Sequence, residues 1–198
     1  MSEPQGKYRP LSYFQLMEIS LRELLVEKGV LTDGQVDAEV EDMRRRTPER
    51  GAKVVARAWL DASFRERLLE NGTKACEELG LDLPALKLVV VENTPEVHNA
   101  IVCTLCSCYP RMLLGIPPDW YKSKAYRSRM VREPRAVLAE FGLDIPEGTQ
   151  VRVHDSSADM RYMVLPLRPP GTEGWSEERL AGIVNRDCMI GVAVPKVG

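Results

Sequence analysis

Apolar positions in the first third of the chain recur at helical spacing. Over residues 13–28 they fall at Phe14, Met17, Leu21, Leu24 and Leu25, one face of an amphipathic helix, and Gly29 is a suitable stop. Thr32 or Asp33 can cap a second helix with Val36, Val40 and Met43 on one side, running into Arg44-Arg45-Arg46-Thr47-Pro48. A third helical stretch covers residues 52–59. Ser63-Phe64-Arg65-Glu66 reads as a capping box opening a fourth, which ends near Asn71-Gly72. Residues 73–79 form a further short helix stopped by Gly80.

The pattern then changes character. Leu86-Lys87-Leu88-Val89-Val90-Val91 is a strand by β-branched content, Glu92-Asn93-Thr94-Pro95 a turn, and residues 97–102 a second strand. Residues 109–122 are rich in Pro and Gly and read as loop. Residues 134–141 form a short helix, begun by proline and ended by Gly142. Residues 150–154 and 161–165 alternate as strands, residues 177–184 form a helix after the cap Ser176, and residues 189–194 are expected to close the sheet. The fold class is α+β: a helical N-terminal arm followed by a mixed α/β-sheet domain with a cysteine loop. The expected division is a flexible tail over residues 1–12, a helical region over 13–80 and the α+β domain over 81–198, with the loop at 103–108.

Composition narrows the class. The chain has 198 residues, with 27 Lys and Arg against 29 Asp and Glu. Near-balance argues against a dedicated nucleic-acid binder. The triple arginine at 44–46 can contact nucleic acid or a partner, but a solvated helix end favoured by the helix dipole is the plainer reading. Residues 1–10 are polar, without an apolar stretch of signal-peptide length, and no run of about 18 apolar residues occurs. Neither a leader nor a membrane span is expected, and the cytoplasm is the default location.

Three of the five cysteines fall within Cys103-Thr104-Leu105-Cys106-Ser107-Cys108. An odd, clustered set is a poor disulfide framework and suits a metal or redox site in a reducing compartment. Cysteines at i, i+3 and i+5 across a tight turn can direct three sulfurs at one metal. The amide nitrogens of Ser107 and Cys108 point into the same space and, deprotonated, are strong-field ligands. Five such ligands leave a sixth position open, which suits an octahedral low-spin trivalent ion better than tetrahedral zinc. Two other readings stand beside it. His98 can complete a Cys3His zinc site, and Cys103-x-x-Cys106 alone can be a redox dithiol, although the context of a thioredoxin-like motif is missing.

The segment Val102-Cys103-Thr104-Leu105-Cys106-Ser107-Cys108-Tyr109-Pro110 resembles the metal-binding signature of the nitrile hydratase alpha-subunit family, which includes the thiocyanate hydrolase gamma subunit. Thr104 and Tyr109 resemble the cobalt type; the iron type usually has Ser and Thr there. The resemblance extends through Pro117-Pro118-Asp119-Trp120-Tyr121, Tyr126-Arg127-Ser128-Arg129, Asp155-Ser156-Ser157, Gly171-Thr172-Glu173-Gly174-Trp175 and Met189-Ile190-Gly191-Val192. It implies that Cys103, Cys106, Ser107 and Cys108 hold Co(3+), or less readily Fe(3+), with Cys103 a thiolate, Cys106 oxidised to sulfinate and Cys108 to sulfenate. Cys106 and Cys108 are then the catalytic side chains in hydration of a small-molecule nitrile to its amide. It also implies a beta-type partner, as one or two chains wrapped by residues 13–45, and a cobalt-delivering activator. No nucleic acid or membrane enters this reading. Many cobalt-type members have Trp where this chain has Arg111, as the thiocyanate hydrolase gamma subunit does. A cation there suits an anion or polar substrate, or equally a partner carboxylate.

Tyr109, Arg111 and Trp120 are candidates for a substrate pocket, and Trp175 is considered with them. His154 lies beside Asp155-Ser156, but no nucleophile elbow accompanies it and a structural role is expected. Cys76 and Cys188 read as small buried hydrophobes. Arg127, Arg129, Arg132 and Arg135 can form an anion site, pair across an interface or brace the loop.

Overall fold

The structure is a computed structural model, and it describes residues 10–83, 87–106 and 108–197. It divides into two compact units between Asp42 and Met43. The first unit contains α1 (Tyr13–Glu27) and most of α2 (Gln35–Arg45). α1 begins with a capping box: Ser12 Oγ accepts from the Gln15 amide, and the Gln15 side chain accepts from the Ser12 amide. Ser12 is therefore part of the helix start rather than of a tail; residues 1–9 of that expected tail lie outside the described residues. The apolar face read from the sequence is present but buries nothing. No residue of α1 is buried, and Phe14 is 80% exposed.

The second unit contains all five cysteines. α3 (Glu49–Leu60) is its central helix, longer than the expected 52–59 because Pro48 opens it. Its Ala52, Val54, Val55 and Ala58 are buried. α4 (Ala62–Glu70) and α5 (Gly72–Glu78) follow and pack against β1 (Lys87–Glu92). These helices belong to the same compact unit as the sheets. α4 is capped by Asp61, whose carboxylate accepts from the Phe64 amide and the Ser63 hydroxyl. Asp61, rather than Ser63, is the cap because the ionised oxygen is the stronger acceptor. Leu86, placed first in the expected strand, lies outside the described residues.

β2 (Val97–Val102) is followed by α6 (Arg111–Leu114), α7 (Asp119–Lys122), α8 (Lys124–Met130) and α9 (Pro134–Glu140). The expected loop over 109–122 thus contains two one-turn helices. Each starts behind a proline, Pro110 and Pro118, so a proline-rich reading masks them. β3 (Gln150–Asp155), β4 (Met160–Leu165), α10 (Glu177–Ala181) and α11 (Arg186–Ile190) complete the chain. α11 corrects the expected strand over 189–194. Asn185 caps it by accepting from the Cys188 amide, and Gly191 ends it in the left-handed region at φ 88°. Cys188, Met189 and Ile190 are all buried, so no periodicity distinguished helix from strand.

The four strands form two parallel pairs, β1 with β4 and β2 with β3. A buried polar network ties the pairs together. Asn99 donates to the Glu92 carbonyl and its oxygen accepts from His154 Nε2 at 2.8 Å. His98 Nε2 donates to the Gly191 carbonyl at 2.8 Å, and its Nδ1 accepts from the Asn93 amide. The His98 pair requires a neutral imidazole, because its Nδ1 accepts while its Nε2 donates.

Burial lowers the pKa of both His98 and His154, with Arg152 adding to the effect at His154. The unfolded chain therefore takes up protons at a higher pH than the fold does. The stability that neutral histidines contribute is complete above the ordinary imidazole value of about 6.5 and is lost as pH falls below it. Melting temperature is expected to drop between about pH 7 and pH 5, above the range where carboxylates titrate. His154→Gln, which keeps a donor for Asn99, should shallow that slope; an unchanged slope would remove His154 from the effect.

Candidate metal centre

β2 ends at Val102, and the chain turns directly into Cys103. The parallel partner β3 ends at the same level, with Asp155 in register with Val102. Asp155 then closes the turn. Its carboxylate accepts from the Thr104 amide at 2.9 Å and from the Thr104 hydroxyl at 2.6 Å. The Cys106 amide donates to Cys103 Sγ at 3.4 Å. The loop is thereby folded back on itself, and the sulfurs of Cys103, Cys106 and Cys108 lie within 4.8 Å of one another. Cys103 to Cys106 is 3.6 Å and Cys106 to Cys108 is 3.2 Å. Cys103 is buried, Cys108 half-buried and Cys106 exposed, so the cluster faces solvent on the Cys106 side.

These separations suit a single ion. With metal–sulfur bonds of about 2.3 Å, sulfurs at right angles stand about 3.3 Å apart and at tetrahedral angles about 3.8 Å. The observed 3.2 and 3.6 Å fall between a shade under the first figure and the second. Burial, then the sulfurs of Cys106 and Cys103, push the Cys108 thiol up to about 12. Metal bound here displaces thiol protons, so its uptake weakens with acid.

The surroundings grip the loop through backbone groups. Tyr121 Oη donates to the Cys108 carbonyl at 2.9 Å, and Arg127 Nη1 donates to the Thr104 carbonyl at 3.3 Å. Arg127 Nε is buried with no partner among the described residues. Burial holds the Tyr109, Tyr121 and Tyr126 hydroxyls well above the usual phenol range, so all three remain neutral donors.

The sequence candidates distribute unevenly around this centre. Ser107 lies outside the described residues. Tyr109 is buried, its ring edge-on to Tyr121 at 5.1 Å and its hydroxyl bonded to the Leu114 carbonyl. Arg111 is exposed at the first residue of α6. Trp120 is half-buried among Tyr121, Tyr126 and Phe141. His98 is not near enough to join the cysteine group and spends its Nε2 on Gly191, so the Cys3His zinc arrangement is not formed. Cys76 and Cys188 are buried apart from the cluster, and burial raises both thiols. The arginines do not converge into an anion site. Arg127 braces the loop, Arg129 pairs with Glu133 and Glu140, and Arg135 donates to the carbonyls of Ile145, Pro146 and Thr149. Tyr121, Tyr126 and Asp155 are the supports that spacing did not single out; they lie too far along the chain for any local pattern to link them to the cysteines.

Comparison with known proteins agrees with this geometry. The family model described as nitrile hydratase, alpha chain, matches residues 12–193. A nitrile hydratase subunit alpha from Rhodococcus sp is 54% identical over 89% of this chain and 90% of its own length. A cobalt-containing nitrile hydratase subunit alpha from Pseudonocardia thermophila is 51% identical over 89% and 88%. Thiocyanate hydrolase subunit gamma from Thiobacillus thioparus is 42% identical over 99% and 86%. Among solved structures, a recombinant thiocyanate hydrolase with partially modified cobalt centres superposes with a TM-score of 0.91 at 43% identity, covering 96% of this chain and 93% of that one. A double mutant of an Fe-type nitrile hydratase from Comamonas testosteroni Ni1 gives 0.88 at 48% identity, covering 94% and 92%. The cysteine loop, its place at the end of a parallel strand pair and these likenesses lead to one conclusion: the chain belongs to the nitrile hydratase alpha-chain family.

Proposed function

We propose that this chain is the metal-binding subunit of a cobalt-type nitrile hydratase, which adds water across the carbon–nitrogen triple bond of a nitrile and releases the amide. The observation that carries the reading is the gathering of three sulfurs within 4.8 Å at the end of β2, in a loop open to solvent. Cobalt-containing relatives favour cobalt, proposed here as Co(3+), over the iron of the Fe-type neighbour. Cys103, Cys106 and Cys108, with the amide nitrogens of Ser107 and Cys108, are the ligands. Cys103 stays a thiolate, Cys106 carries two oxygens as sulfinate and Cys108 one as sulfenate. When bound, the ion supplies Lewis acidity.

The chain's own residues prepare that chemistry. Asp155 and Arg127 hold the first turn of the loop by Thr104, and the buried Cys103 anchors it to β2. Oxygens on Cys106 and Cys108 orient water and substrate on the exposed side of the cluster. Arg111, exposed at the start of α6, is the proposed polar contact for substrate, with the buried Tyr109 and half-buried Trp120 proposed as its apolar support. The exposed apolar residues of α1 are the contact for a beta-type subunit, as one or two chains, and a cobalt activator loads the assembly in the cytoplasm. Exposed side chains such as Tyr13, Phe14 and Met17 support this, because an uncovered stripe of that kind is costly in water.

A second reading is the gamma subunit of thiocyanate hydrolase, which forms carbonyl sulfide and ammonia. Arg111 favours it, since an exposed guanidinium suits an anion. The test is co-expression with the beta-type partner and activator in cobalt medium, followed by metal analysis, intact-mass measurement and assay. The expected result is about one cobalt per chain, two added oxygens at Cys106, one at Cys108, and amide from nitrile. Turnover of thiocyanate alone selects the second reading. One zinc with unmodified thiols overturns both.

A further inference from the structure

α7 and α8 send three donors to backbone carbonyls of the cysteine-bearing segment. Tyr126 Oη bonds the Ile101 carbonyl at 2.8 Å, two residues before Cys103. Arg127 bonds the Thr104 carbonyl within the first turn, and Tyr121 bonds the Cys108 carbonyl at the exit. One short stretch of chain thus holds the entry, the turn and the exit of the loop. The entry has other supports: β2 is paired with β3, and Asp155 takes two bonds from Thr104. The exit has fewer. Beyond Cys108 come Tyr109 and Pro110, and the proline has no N–H to offer.

We propose that Tyr121 is a positioning residue for the metal loop, whose hydroxyl holds the Cys108 end in place so that the third sulfur stays beside the other two. The proposal rests on the metal-binding reading above. The side chain is suited to the task. Its ring is fully buried and wedged between Tyr109 at 5.1 Å and Tyr126 at 5.6 Å. A buried aromatic ring has little rotamer freedom left to lose, so its hydroxyl is presented to the Cys108 carbonyl at low entropic cost.

Tyr121→Phe is the appropriate variant, because it keeps the ring and its packing and removes one hydroxyl. In the cobalt-loaded complex it is expected to release cobalt to a chelator about fivefold to tenfold faster and to shift the sulfur-to-cobalt absorption band. kcat should fall while KM stays within about twofold. Tyr126→Phe loses an equivalent buried hydroxyl at the better supported entry and should show a smaller change in release rate. In the metal-free chain, alkylation of Cys108, located by peptide mass, should be about fivefold faster in Tyr121→Phe, with Cys76 unchanged. Equal release rates and spectra for Tyr121→Phe and the unaltered complex, or an unaltered Cys108 alkylation rate, overturn the proposal. An unaltered complex that takes up no cobalt defeats the metal-binding reading instead, and the alkylation arm still decides the role of Tyr121.

Discussion

Cys106→Ser is expected to cost the assembled protein at least tenfold in cobalt content and about 100-fold or more in turnover, with little change in folding. The position separates the two effects. Cys106 is exposed at the tip of the loop, so its replacement opens no cavity in the core. Serine is close in size but is a hard, weakly acidic ligand where a soft sulfur is wanted. Its oxygen also cannot carry the two further oxygens proposed for the sulfinate. Metal analysis, activity and melting temperature measured on one preparation decide the matter. Full cobalt loading with full activity would show that Cys106 is not a ligand, and the claw reading would fall with it. Cys188→Ser is the contrast: that thiol is buried in α11 away from the cluster, so stability should fall while cobalt content is kept.

Gly191→Ala is the expected extreme for stability. Gly191 has φ 88°, where a side chain is strained. A Cβ there would come within 2.1 Å of the Asn99 carbonyl oxygen and 2.8 Å of Ala100 Cα. Both obstacles are backbone of β2, the strand that carries the cysteines, so neither can swing aside. The Gly191 carbonyl is also the acceptor for His98 Nε2. Relief of the clash must part α11 from β2 and break that buried bond. A loss of about 3–5 kcal/mol is expected, which for a chain of this size lowers melting temperature by about 10 °C or prevents soluble expression. Gly142→Ala is the comparison. Gly142 shares the positive φ, but an added Cβ there meets nothing within 4 Å, so only the backbone strain should register. A Gly191→Ala protein that melts within about 2 °C of the parent would refute the close approach.

The legible parts of the sequence were those whose cause is local. The face of α1, the turn from α4 to α5 at Asn71 and the proline start of α9 follow from spacing and capping within a few residues. The candidate metal cluster was legible for the same reason, since the three sulfurs that gather there come from six consecutive residues. α11 was misread because Cys188, Met189 and Ile190 are buried on every side, which erases the periodicity that separates helix from strand. α6 and α7 were hidden by their own proline starts. The supports of the loop had no local signature at all. Asp155 lies 51 residues beyond Thr104, and Tyr121 lies 13 beyond Cys108.

By itself, then, the sequence determined which sulfurs can hold a metal and where the helices with a local cap or an apolar face lie, because both depend on neighbours along the chain. Tertiary structure decided how that loop is held. β1 and β2 are consecutive strands joined by a short turn, yet they do not form a hairpin; each takes a parallel partner from residues 150–165. Parallel pairing is set by long-range packing rather than by the turn. It is this pairing that brings Asp155 level with Val102 and turns His98 toward Gly191, away from the sulfurs. The three clustered sulfurs are written in one short motif, whereas their posture depends on residues that meet only when the sheets close.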